Sequence, residues 1–401
     1  MRILWVLPYL PWPTTSGGKT RQYHLLRSLA ARGHRITLLV QSKSSLDTAT
    51  QAALEPFLER LIVLPRRSLR HPVTLLSALF GPWPLLTVVN GLSEPLQERF
   101  SQLLEETWDV IQIEHSYSFQ PFDRLLRGQS FVLTEHNLES SLGAATYDRF
   151  PGWLTLFVRF DQWRARRWEK QVFDHACRVI AVTEDDAVAM RQLTQTPVDV
   201  VVNGVDTREF AAGQSDAASQ RILFVGNYEY APNRDAVQWA LDEILPLLWQ
   251  RCPQARFAVA GYALPQDWAQ RWPDSRIEWV GFVPQLTELQ ARSALFFAPL
   301  RHGGGSKLKV LEALAAGLPL VSTAQGVSGL PLVDQHEYCA GETPEELAAA
   351  LAQLLEDPHY ARQLAVKGRD YVRDHHDWQI AAAQLEHVYQ QLPVKDSSAC
   401  V

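Results

Sequence analysis

Only four cysteines occur in 401 residues, Cys177, Cys252, Cys339 and Cys400, with no close pair and no metal-ligand spacing. That scarcity excludes a disulfide framework and a zinc module, and it fits reduced thiols in a cytoplasmic compartment. A basic excess is missing too. Thirty-eight Lys and Arg against 44 Asp and Glu give a net charge of −6, the wrong sign for general nucleic-acid binding. Long apolar runs are absent. Met1–Pro8 carries one positive charge and is broken by Pro8, too short for a signal-peptide core or a bilayer span. It reads instead as a buried first strand. Neither the dinucleotide fingerprint after that strand nor the Walker spacing appears, which disfavours NAD and ATP.

What is present is a chain long enough for about two domains, with 46% apolar residues. Ile3–Leu7 and Ile36–Val40 read as strands flanking a helix over Lys19–Arg32, with Gly33 at its C-cap, so the first 41 residues form one βαβ unit. Further strands fit Leu61–Leu64, Val110–Ile113, Phe131–Thr134, Val179–Val182 and Val198–Val202. Gly204–Gln220 has linker composition. A second series follows at Arg221–Gly226, Phe257–Ala260, Ile277–Val280, Leu295–Ala298 and Leu318–Ser322, with helices at Asp235–Trp249 and Lys307–Ala316. Alternating strands and helices predict an α/β chain of two Rossmann-like domains with parallel sheets. Their ligand is expected beyond the strands' carboxyl ends, in the cleft that the two sheets face. The expected division is 1–205, 206–375 and a 376–401 segment whose helix crosses back to the first domain before a frayed tail.

The most informative stretch is Pro299–Pro319. A strand ends, the glycines Gly303, Gly304 and Gly305 follow, and Ser306 is placed to cap a helix starting at Lys307. Gly317 and Pro319 end that helix. Backbone N–H groups at such a start suit an anion. Lys307 and Lys309 fall in the first turn, where the macrodipole disfavours cations by roughly 0.3–1 kcal/mol each. Arg301 adds to the charge. A bound diphosphate relieves this conflict; the plain alternative is solvated lysines, with Lys309 pairing to Glu312 at helical spacing.

The run Lys309-Val-Leu-Glu-Ala-Leu-Ala-Ala-Gly-Leu-Pro-Leu-Val-Ser-Thr323 resembles the donor-site helix of family 4 (group 1) retaining glycosyltransferases. The sequence looks like a subgroup of polysaccharide-biosynthesis sugar transferases that use a glycine-rich loop followed by lysine. The resemblance implies a GT-B architecture and a nucleoside-diphosphate-sugar donor, with no cofactor and no metal. Glu312 matches the family glutamate that holds ribose hydroxyls. The companion glutamate, eight positions earlier, is replaced by Gly304. Ser16-Gly-Gly-Lys-Thr-Arg21 resembles the glycine loop near the donor phosphates, through Gly17 and Gly18, and His136 in Thr134-Glu-His-Asn137 matches the imidazole near the reacting sugar. Asn227 and Asn233 stand roughly where many relatives carry an arginine and a lysine for the diphosphate, a role that passes here to Lys307 and Arg301. Gly281-Phe-Val-Pro284 resembles the turn that contacts the base.

Thirteen tryptophans are many for this length. Several lie in two candidate acceptor-side stretches, Pro72–Val89 and Pro151–Phe173. The second mixes Trp153, Leu156, Phe157, Trp163 and Trp168 with Arg159, Arg164, Arg166, Arg167 and Lys170. It reads either as an amphipathic helix packed on the sheet or as one lying on an anionic membrane. No paired-carboxylate arrangement is visible, which disfavours a glycosidase. The expected activity is therefore hexosyl transfer to a glycan or lipid-linked glycan in exopolysaccharide or cell-surface polysaccharide synthesis. It is expected in the cytoplasm, with peripheral contact at the inner face of the plasma membrane, and without nucleic-acid partners. The alternatives are a GT-B-like sugar-nucleotide epimerase and a non-catalytic scaffold subunit.

Overall fold

The computed structural model describes residues 1–42, 46–66, 74, 76–77, 81–91, 93–138, 140, 155–210, 215–283, 285–303 and 307–393. The chain forms two compact units: residues 1–202 together with 381–401, and residues 203–380.

The first unit is built on a seven-stranded sheet of β1 (Arg2–Leu7), β2 (Arg35–Ser42), β3 (Arg60–Pro65), β4 (Val110–Glu114), β5 (Val132–Thr134), β6 (Arg178–Ala181) and β7 (Val198–Val200). Its order is β3-β2-β1-β4-β5-β6-β7, and every pairing is parallel. Central strands such as Ile3–Leu7 are apolar throughout and fully buried, as expected of a sheet covered on both faces. The helix Gly17–Ala31 follows β1. The order reverses between β1 and β4, which makes their carboxyl ends the switch point where such sheets take ligands. From Ala381 the last helix, Trp378–Gln390, belongs to this unit. There Glu386 pairs with Arg32 and His34, and the Tyr389 hydroxyl donates to Gln112 at 3.2 Å.

The second unit carries a six-stranded parallel sheet of β8 (Arg221–Val225), β9 (Arg256–Ala260), β10 (Ile277–Gly281), β11 (Leu295–Ala298), β12 (Leu320–Ser322) and β13 (Cys339–Ala340), ordered β10-β9-β8-β11-β12-β13. Its switch point lies between β8 and β11. The helix after β8 begins at Ala231, earlier than expected, because Pro232 suits a first turn that needs no N–H. It continues through a π-helical segment, Ala240–Ile244, into Leu245–Arg251. β13 is two residues long, too short to carry a periodic signal.

Candidate functional site

In the first unit the carboxyl ends of β4 and β5 carry two Glu-His dipeptides, Glu114-His115 and Glu135-His136. Glu114 pairs with Thr134 in the sheet register, so the dipeptides are offset by one residue. Each histidine therefore meets the other strand's carboxylate. His136 Nε2 lies 3.2 Å from Glu114 Oε2, and His115 Nδ1 lies 3.7 Å from Glu135 Oε2. Gln22, from the helix Gly17–Ala31, donates to Glu114 at 2.6 Å, and Gln112 donates to its other oxygen at 2.9 Å. Glu135 accepts the Ser116 backbone N–H at 2.5 Å.

Burial sets the protonation states here. It pushes Glu135 up to about 8 and Glu114 above the usual carboxylate range. Burial, with help from His115 and Arg21, holds His136 well below the ordinary imidazole value, so its ring is neutral. His115 has φ 67°, uncommon for a residue with a Cβ. Its ring centroid is 4.4 Å from that of His136, and its Nε2 is 3.2 Å from the Tyr9 hydroxyl. A Cβ on Gly18 would come within 2.8 Å of that hydroxyl and 3.5 Å of His136 Nδ1. The structure thus brings Gly18 and His136 together, with Gly17 the first residue of the helix.

In the second unit the loops after β8 and β11 meet. Gly303 has φ 120°, and a Cβ there would press on the Tyr230 hydroxyl at 3.0 Å and on Pro232 at 3.3 Å. Glycine lets the two loops close together. The helix begins at Leu308 with Lys307 at its N-cap and without a side-chain cap; this corrects the expected start at Lys307. Gly304, Gly305 and Ser306 lie outside the described residues, and the expected Ser306 cap with them.

Lys307 is buried and donates to the Gly303 carbonyl at 3.0 Å. Among the described residues Lys309 forms no ion pair with Glu312, the plain alternative raised by their helical spacing. It donates to Asn233 Oδ1 at 2.5 Å and sits 4.4 Å over the Phe224 ring. Asn233 in turn donates to the Asn227 carbonyl at 2.8 Å, which ties Asn227 to the same cluster. Burial and the neighbouring Lys307 lower Lys309 to about 7. Glu312 is raised to about 7 by burial and by Glu209, against the pull of Lys309. Arg301 is placed apart from these lysines' partners. Asp235 holds it at 3.0 and 2.5 Å, with its guanidinium 5.0 Å over Trp239.

A buried lysine, Lys307, and a half-buried one, Lys309, thus stand at a helix start beside Gly303 and a switch point. Comparison with known proteins gives the family. Residues 15–209 match the family model of Glycosyltransferase Family 4, and residues 219–357 that of Glycosyl transferases group 1. The chain belongs to these glycosyltransferases.

The enzyme is 26% identical to the glycogen synthase of Mycobacterium tuberculosis over 97% of this chain and 94% of that protein. It is 28% identical to the D-inositol 3-phosphate glycosyltransferase of Thermobispora bispora, over 56% of this chain and 58% of that one. Among solved structures, the sucrose-phosphate synthase of Thermosynechococcus elongatus superposes with a TM-score of 0.70 at 17% identity, covering 98% of both chains. Anabaena HepE in complex with UDP and glucose gives 0.67 at 16%, covering 98% of this chain and all of that one. These neighbours place the two parallel-sheet units in the GT-B class of glycosyltransferase folds.

The residues missed from sequence are Glu114, His115, Glu135, Tyr9 and Gln22. The repeated Glu-His dipeptide after two apolar strands was their signal. Glu114 and Glu135 are both fully buried rather than flanking an open pocket. Among the described residues, no group of three His, Cys, Asp or Glu side chains is placed to hold a metal ion.

Proposed function

We propose that this glycosyltransferase moves a hexosyl group from a nucleoside-diphosphate sugar to a glycan or lipid-linked glycan acceptor. Transfer proceeds with retention of anomeric configuration and serves exopolysaccharide or cell-surface polysaccharide synthesis. The observation that carries the reading is the buried Lys307 beside the half-buried Lys309 at one helix start, with Lys309 lowered to about 7 by desolvation and its neighbour. Like charges so placed are stabilised by an anion that neutralises them. A diphosphate supplies that charge, and the lysines then take up the charge that develops on it as the glycosidic bond breaks.

In this reading the lysines, with no metal ion, carry the diphosphate, and Arg301 joins them by exchanging Asp235 for phosphate oxygen. Gly303, Gly304, Gly305 and Ser306 are assigned to the same anion, together with Asn227. Glu312 holds the ribose. Gly17 and Gly18 give close backbone approach to the donor, and His136, kept neutral, is assigned to the reacting sugar. The glycogen synthase relative supports a glycan acceptor.

A thermal-shift panel of UDP-, GDP- and dTDP-sugars tests the donor, because a ligand that binds only the folded state raises its apparent stability. A saturable rise with one base series, followed by sugar transfer to a glycan primer, is the expected result. Flat responses across the panel would sink the reading. Turnover of the bound sugar nucleotide to its 2-epimer without acceptor would replace it with an epimerase.

A further inference from the structure

The helix Thr155–His175 buries Trp168, Val172 and Phe173 in the core through its second half, and polar side chains through its first. Asp161 and Arg164 point inward, fully buried and paired with each other. Asp161 accepts the Leu85 backbone N–H at 3.1 Å, Arg164 donates to the Gly81 carbonyl at 2.9 Å, and Trp168 Nε1 donates to the Ser116 carbonyl at 2.9 Å. These polar contacts fix the helix's rotation, so what faces outward does so by construction.

The outward face carries Leu156, Arg159, Phe160, Trp163, Arg166 and Arg167, at the spacing of one helical stripe. Leu156 is 82% exposed, Phe160 49% and Trp163 56%. Single exposed apolar residues are ordinary, but three on one stripe are not. The Phe160 and Trp163 rings stack at 5.9 Å, and Arg167 lies 5.7 Å over the Trp163 ring. Between Leu156 and Arg167 no carboxylate interrupts the stripe among the described residues; further along it, Lys170 is paired with Asp174. Among the described residues none of Arg159, Arg166 and Arg167 forms an ion pair.

We infer that this face is a docking surface for an anionic lipid bilayer. The apolar side chains enter the headgroup boundary while the arginines stay with lipid phosphates. A protein partner would need matching carboxylates and pockets for Leu156 and two aromatic side chains. An anionic interface offers both requirements at once without specific shape, and an interfacial tryptophan beside cations suits it. Among the described residues no helix is long and apolar enough to cross a membrane, so contact through this face is peripheral.

Vesicle co-sedimentation of the full chain tests this, using phosphatidylcholine alone and phosphatidylcholine mixed with phosphatidylglycerol. The wild type is expected to sediment with the anionic vesicles only, and less as salt rises. Arg159→Gln, Arg166→Gln and Arg167→Gln should each weaken partitioning about fivefold, and Phe160→Ser with Trp163→Ser should abolish it, with unchanged thermal midpoints. A wild type that stays in the supernatant, or variants that sediment equally, would overturn the inference. So would a concentration-dependent dimer, lost in the Phe160→Ser, Trp163→Ser variant, without vesicle binding. Vesicle and nucleotide-sugar binding are read separately, so either proposal can fail while the other stands.

Discussion

His136 Nε2 lies 3.2 Å from the carboxylate of Glu114, on the neighbouring strand, rather than from Glu135 beside it in sequence. The one-residue offset between β4 and β5 makes this exchange. It fixes the His136 ring on its Nε2 side and leaves Nδ1 facing Gly18. Removing the ring by His136→Ala should lower kcat by roughly a hundredfold, the scale of one lost polar group in an active site. Glu114→Gln keeps the shape and loses only the charge. It should lower kcat less and leave KM near the wild-type value, as steady-state kinetics with the cognate donor would register. Equal kcat in all three proteins would remove His136 from the reaction.

Glu135 gives the fold a pH dependence with a definite sign. Its folded value is about 8, above the ordinary 4.5, so the folded chain holds a proton that the unfolded chain releases. The stability from this group is complete below the ordinary value and lost as pH rises toward 8, by about 1.4 kcal/mol per unit at most. Glu135→Gln should flatten that slope and leave the variant the more stable at the alkaline end. Urea unfolding at several pH values between 5 and about 8 checks it; parallel curves would show that Glu135 ionises normally.

Lys309 has the opposite sign. Its folded value of about 7 lies below the ordinary 10.5, so its contribution is present at high pH and lost as pH falls through 7. A bound diphosphate favours the charged lysine, so donor binding above pH 7 should take up a proton. Affinity should then fall by up to about tenfold per pH unit. Titration calorimetry in buffers of different ionisation enthalpy counts that proton, and Lys309→Met should abolish it.

Much of the fold was legible because the parallel strands are unbroken apolar runs; Leu295–Ala298 needs no context to be read as buried. β13 escaped because two residues carry no period. The helix start at Ala231 escaped because Pro232 reads as a breaker when it is a first-turn residue. The lysines of the second unit stood out by their conflict with the helix dipole. Glu114 and His115 did not, since a strand-end carboxylate looks solvated until the register shows what it meets. Lys309's partner, Asn233, lies 76 residues away, beyond any local spacing rule.

Backbone approach makes a further contrast. A Cβ on Gly261, at φ 130°, would sit 1.8 Å from the Gly226 carbonyl oxygen, whereas Gly33, at φ 88°, has nothing within 4 Å. Gly33→Ala should cost only the left-handed strain, about 1 kcal/mol. Gly261→Ala must also move the strand-end backbone and should cost more than about 3 kcal/mol. Thermal unfolding of the two variants decides it; equal losses would mean that the loop after β8 yields freely.

The most direct measurement is donor-induced thermal stabilisation of the wild type beside Lys307→Ala. One nucleotide-sugar series should raise the wild-type midpoint saturably, and Lys307→Ala should keep its fold while losing most of that rise. A flat wild type, or an undiminished rise in Lys307→Ala, would contradict a diphosphate held at this loop.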